Sequence, residues 1–329
     1  MRMPMKIPLT KKTAIVAVIV LALVLNFSIF VKAYPLTFSP QTETLARDFS
    51  AYYMGAWRLF NNPSQVYYDG SLPNDYPIIG APQPFKYIPN FLIWFSPFLA
   101  LDYQNALSIF DIIQFLSMIP LAFFVYKLVK DKNLFLSAAV VLIVLLQPIL
   151  ISPSIAYDGA NFLHYRMISL SIQTFSPSYL CGYTLANAHV LQNMLLVGAL
   201  YFGFTKKPWL SALFFTFGAF DPRITLVAVP LLLWYNRQSL PKFVGGTAVL
   251  LTATNLPFFL YSGIGESFMQ MVVTGSVVSQ MYLYEYIPLY AIVALTILEV
   301  VTILNNKRKE NNTKAQLTIK RTSENMMIK

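Results

Sequence analysis

Apolar runs separated by short polar punctuation dominate this chain. The strong runs cover residues 13–32, 105–126, 134–152, 185–204, 208–220, 224–235, 243–261 and 286–304. A bilayer crossing takes roughly 20 apolar residues in helix, so the pattern predicts an all-α polytopic membrane protein with about eight transmembrane helices. Two runs are short: 208–220 and 224–235 each reach only about 20 Å at ~1.5 Å per residue. They read as a hairpin of short helices or as one helix kinked at Asp221-Pro222-Arg223. The run 88–101 is broken by Pro89 and Pro97; its length suits a re-entrant or interfacial helix better than a crossing. Ahead of it, Arg47-Asp48-Phe49-Ser50-Ala51-Tyr52-Tyr53 opens a helix to about Phe60, with Tyr52, Trp57 and Phe60 toward a membrane face.

Composition excludes the competing classes. Hydrophobic residues make up 56% of the 329 and charged residues 12%, against about a quarter charged in soluble domains. Aromatics at 15% exclude disorder, and Cys181, the single cysteine, excludes a disulfide scaffold. The net charge of +10 matters through its placement, since seven of the 24 Lys and Arg lie between Lys307 and Lys329. That is the pattern of a cytoplasmic flank rather than of a nucleic-acid partner. Arg2, Lys6, Lys11 and Lys12 precede the first run, which is longer than the apolar part of a secretory signal and reads as a retained crossing.

Charge also sets the orientation. With the N-terminus inside and 88–101 in the interface, eighteen Lys and Arg lie on the cytoplasmic side and six outside; a crossing at 88–101 reverses the ratio. The positive-inside bias selects the first arrangement, and the same count favours the hairpin over a kinked helix at 208–235. The expected protein is thus a multi-pass cell-membrane protein with both termini cytoplasmic. Its parts are one membrane domain over 1–304, outer segments at 33–104, 153–184 and 262–285, and a basic disordered cytoplasmic tail over 305–329 drawn to anionic lipids. The sequons at Asn26 and Asn311 fall in a crossing and in the tail, so neither is expected to be glycosylated.

The order RDFSAYYMGAWRLF…VYYDG…PFKYIPNFLIWFSPFLAL in the first outer segment resembles glycosyltransferase family 87, the polyprenol-phosphate-mannose-dependent mannosyltransferases of the GT-C fold class. Ala186-Asn187-Ala188-His189 with Gln192-Asn193, then Lys206-Lys207, then Asp221-Pro222-Arg223 extend the likeness over about residues 13–260. The departures are Ile88-Pro89 in place of a double proline and Asp221 where a lysine is usual. The resemblance implies a GT-C-like fold. It also implies transfer of a hexose, mannose in α-1,2 linkage, from a polyprenyl or dolichyl phosphate donor to a lipid-linked or glycolipid acceptor on the outer face.

By that resemblance Asp48 is the catalytic base, because an attacking hydroxyl needs a carboxylate to take its proton. Asp48 also fits as the cap of its helix or as a partner for Arg47. Lys86, Arg166 and Arg223 are candidates for the donor phosphate, or cations snorkelling to the headgroups. Arg223 further fits a local pair with Asp221. Tyr52, Tyr53, Tyr87, His164, Asn187 and His189 are candidates for sugar or acceptor contact, and either histidine equally fits as a buried hydrogen-bonding group. The histidines lack metal spacing, so no metal site and no cofactor is expected, with a divalent cation left open. Glu299, inside the last run, is a functional candidate within reach of Lys307. A non-catalytic GT-C-like protein or a permease is the alternative, although a permease calls for polar residues along the crossings and these runs carry almost no charge.

Overall fold

The computed structural model describes residues 10–35, 47–67, 85–146, 188–260, 263–273 and 287–327. Its helices are α1 (Lys11–Ala33), α2 (Arg47–Asn61), α3 (Phe91–Phe95, continued by a 3-10 turn Ser96–Ala100), α4 (Tyr103–Val129), α5 (Leu134–Leu145), α6 (His189–Phe204), α7 (Pro208–Gly218), α8 (Pro222–Asn236), α9 (Leu240–Leu260), α10 (Ile264–Val273) and α11 (Ile287–Met327). Among the described residues there is no strand. The chain is an all-α membrane protein. Among the described residues three stretches, Lys11–Val31, Tyr103–Val129 and Thr225–Leu260, are long and apolar enough to cross a bilayer.

Local chemistry starts several of these helices. The Thr10 hydroxyl accepts from Thr13 N–H at 3.2 Å, and the Asp102 carboxylate accepts from Asn105 N–H at 3.0 Å. Asn133 caps α5 through Phe135 and Leu136 N–H. Each occupies donors that the first turn otherwise leaves without a partner. The Asn105 N–H and side-chain amide hold the exposed Asp102 carboxyl below the usual range.

Side-chain bonds fix how the helices run. Gln114 on α4 accepts from Leu191 N–H on α6 at 3.1 Å, and further along the same pair Phe124 packs on Tyr201 and Phe202. So α4 and α6 run in the same direction. Helix α7 returns, with Ser211 Oγ donating to Ala199 C=O and Gln192 Nε2 to Gly218 C=O. Helix α8 starts beside Gln192 and ends where Asn236 Nδ2 donates to Ser211 Oγ at 3.0 Å. The stretch Thr225–Leu260 then reverses at the 3-10 turn Arg237–Ser239. Gly246 of α9 lies against Ala212, and Asn255 connects through Asn90 to Thr216 farther along α7, so α9 runs parallel to α7. The hairpin reading of 208–235 therefore describes the backbone. Gly198 permits the close approach of α4, α6 and α7, because a Cβ there would stand 2.5 Å from Phe214 and 3.0 Å from Phe124.

Among the described residues two large apolar cores stand out. The larger joins α1, α4, α5, α6, α7, α8, α9 and α11. The second is an aromatic cap formed by α2, residues 85–101, the start of α4, Ala188, Phe220 and α10. The turns at the end away from the cap carry Lys130, Lys132, Lys206, Lys207 and Arg237, and α1 begins there at Lys11. We call this the basal end.

Asn26 is fully buried, and its amide donates to Ala22 C=O at 2.8 Å and to Leu145 C=O at 2.7 Å, tying α1 to the end of α5. That burial agrees with the reading of its sequon. Asn26→Ala is expected to cost about 1–3 kcal/mol by leaving a cavity and an unpartnered carbonyl, measured as earlier thermal unfolding in detergent.

Three expectations change. Residues 305–327, read as a disordered tail, continue α11 as helix. No Pro or Gly follows Pro288, and Glu310 pairs with Lys314 one turn on at 2.7 Å. Glu299 pairs with Lys132 of the α4–α5 turn rather than Lys307, and also accepts from Tyr235 OH at 3.2 Å. Tyr52 faces no membrane: it is fully buried, while Phe60 at the other end of α2 is 65% exposed.

Candidate functional site

Helix α2 carries Asp48 in its first turn, half-buried, and Tyr52 one turn later. Its strong two-sidedness comes from apolar residues at helical spacing: Phe49, Tyr52, Tyr53 and Ala56 enter the aromatic cap. Tyr52 packs against Phe91, Phe95, Phe110 and Tyr87 at centroid distances of 4.8–6.0 Å. Phe91 stacks on Phe220 at 4.0 Å, and Ile88 N–H donates to Phe220 C=O at 3.1 Å. This backbone bond joins the segment of Lys86 to the turn that opens α8, where Arg223 sits in the first turn.

The hydroxyls define the site further. Tyr52 OH accepts from Ala188 N–H at 3.2 Å and shares a hydrogen bond with Tyr87 OH at 3.3 Å. Tyr67 OH donates to Tyr87 C=O at 2.9 Å. Burial pushes the Tyr52 hydroxyl well above the ordinary tyrosine range; Tyr87 and the negative charge of Asp48 add to this. Tyr52 is therefore a neutral hydroxyl beside a carboxylate, not a base. Burial likewise raises Tyr67.

The structure thus gathers Asp48, Tyr52, Lys86, Tyr87 and His189 at the cap end of the bundle. Lys86 and Tyr87 are half-buried and His189 is buried in the first turn of α6. Tyr53 stands apart, because its hydroxyl donates to Leu101 C=O at 2.8 Å. The hydroxyls of Tyr52 and Tyr53 both hydrogen-bond within the protein. His164, Arg166 and Asn187 lie outside the described residues, as does the Arg223 side chain.

Beneath the cap lies a buried polar layer that the sequence reading did not assemble. Asp111 and Gln114 come from α4, His189, Gln192 and Asn193 from α6, and Asp221 from the α7–α8 turn; all are at most 6% exposed. Among the described residues Gln114 Nε2 and Gln192 Oε1 have no hydrogen-bond partner. The available signal was polar residues three or four apart in otherwise apolar helices, which puts them on one face. No group of three or more His, Cys, Asp or Glu that could hold a metal ion occurs among the described residues.

Comparison with protein families, with curated proteins and with solved structures finds no match. The family resemblance therefore rests on its motifs alone. The arrangement itself offers a half-buried carboxylate, a neutral buried hydroxyl beside it and a lysine on the adjoining segment, all opposite the basal end.

Proposed function

We propose that the protein is a GT-C-like membrane glycosyltransferase with eight crossings, placed in the cell membrane with both termini cytoplasmic. It moves a hexose, mannose in α-1,2 linkage by the resemblance, from a polyprenyl or dolichyl phosphate to a lipid-linked or glycolipid acceptor on the outer face. The observation that carries the reading is the position of Asp48, half-buried at the start of α2 on the cap that closes the end of the bundle remote from the basal lysines. The directions of α4 and of α6 to α9 are those that eight crossings call for, with the segment between α5 and α6 outside the described residues.

In this reading Asp48 takes the proton of the acceptor hydroxyl as its oxygen attacks the anomeric carbon. The bond from that carbon to the phosphate oxygen breaks, and the lipid phosphate leaves with the electron pair. Lys86, with Arg166 and Arg223, stabilises the charge that grows on the phosphate. Tyr87, His164, Asn187 and His189 are proposed sugar or acceptor contacts. No organic cofactor enters this reading, and the transfer assay, run with and without divalent cation, decides whether a metal ion is required. Membranes containing the chain, given polyprenyl phosphate [³H]mannose, are expected to form a labelled glycolipid, and no product above control membranes removes the reading.

The buried polar layer supports the permease alternative, because buried ionisable groups at membrane depth mark transport paths as well as catalytic sites. A permease moves labelled solute across vesicles containing the purified chain and forms no glycosidic product.

A further inference from the structure

At the start of α6 the N-cap residue, Ala188, supplies no side-chain acceptor. Its first N–H groups are buried, and leaving them without partners is costly. Two distant side chains serve instead. Tyr52 OH from α2 takes Ala188 N–H, and Gln114 Oε1 from α4 takes Leu191 N–H. Tyr52 OH also meets Tyr87 OH, next to Lys86. One hydroxyl therefore touches three segments: α2 with Asp48, the 85–90 segment with Lys86, and the start of α6 with His189.

We propose that Tyr52 is a positioning residue, whose hydroxyl caps α6 from another helix and so holds Asp48 in register with Lys86 and His189. This rests on the glycosyl-transfer reading for its kinetic consequence, and on the hydrogen bonds alone for its structural one. The ring supplies packing and the oxygen supplies register. Removing only the oxygen leaves Phe91, Phe95 and Phe110 a ring to pack against but frees α2 to shift relative to α6. Small displacements of a catalytic group lower turnover steeply without altering distant lipid contacts.

The test uses Tyr52→Phe in the full-length protein with two readouts. Transfer is measured per folded molecule, with polyprenyl phosphate mannose as donor. The expected result is a kcat lower by about 10–100-fold with donor KM unchanged. Separately, spin labels at Asn61→Cys and Phe204→Cys, in a Cys181→Ser background, report the α2–α6 distance. That distribution is expected to broaden in Tyr52→Phe. A Tyr52→Phe protein with wild-type kcat per folded molecule, or with an unchanged distribution, overturns the proposal. A kcat loss with an unchanged distribution does so too, by assigning the hydroxyl to the substrate. If the unsubstituted protein transfers no sugar, the glycosyl-transfer reading fails while the distance measurement still decides the role of Tyr52. Should Tyr52→Phe fail to accumulate, 3,5-difluorotyrosine at position 52 keeps the ring and weakens the oxygen as an acceptor, with the same outcomes expected.

Discussion

Asp48→Asn is expected to lower sugar transfer by about 10²–10⁴-fold while the protein still inserts and folds. The amide matches the carboxylate in size, so the start of α2 and the aromatic packing that follows it are kept. What is lost is the ability to take a proton from an attacking hydroxyl. An asparagine keeps any capping role, and so separates the base from the cap: a cap survives the change with little effect, a base does not. Asp48→Ala removes both functions and is expected to match Asp48→Asn in turnover while unfolding somewhat earlier. Ordinary transfer by Asp48→Asn in membranes, at equal protein level, takes Asp48 out of the mechanism.

Glu299→Ala is expected to give the largest loss of stability, about 3–5 kcal/mol, because it strands Lys132. The two side chains are only 13% and 14% exposed, and Tyr235 donates to the same carboxylate oxygen. The pair holds α11 against the α4–α5 turn and the end of α8, so its loss is expected to release α11 from the bundle. The reverse substitution, Lys132→Met, leaves a buried carboxylate and is expected to cost a similar amount. The double variant Lys132→Met with Glu299→Leu removes both charges together and is expected to regain most of the stability. Thermal unfolding in one detergent, compared across the three variants, checks this. A double variant no better than the single ones assigns the effect to packing rather than to the uncompensated charge.

The helices were legible because a crossing announces itself through length and apolarity, which are properties of contiguous sequence. Helix α2 was legible through its spacing, and the two prolines marked the short α3. The facing of α2 was not. An apolar helical stripe reads the same whether it meets lipid or protein, and here Tyr52 meets protein. The bonds that organise the site were hidden for another reason: their partners are far apart in the chain. Tyr52 and Ala188 are separated by 136 residues, Gln114 and Leu191 by 77, and Lys132 and Glu299 by 167. No local pattern encodes such pairs. Ala188 did carry a hint, since a helix that starts on alanine inside a protein has its donors to satisfy from elsewhere. The charge along 305–327 points to a solvated segment, but with no Pro or Gly after Pro288 nothing in the sequence stops α11 from continuing as helix.

The claim on which the account depends is that the cap bearing Asp48 faces the exterior and the lysine-rich turns face the cytoplasm. Cysteine labelling in intact cells measures this directly. In a Cys181→Ser background, Asn61→Cys at the exposed end of α2 and Lys207→Cys in the exposed α6–α7 turn are treated with a membrane-impermeant maleimide. Asn61→Cys is expected to be labelled from outside and Lys207→Cys only after the membrane is opened. Labelling of Lys207→Cys in sealed cells, with Asn61→Cys protected, would contradict it.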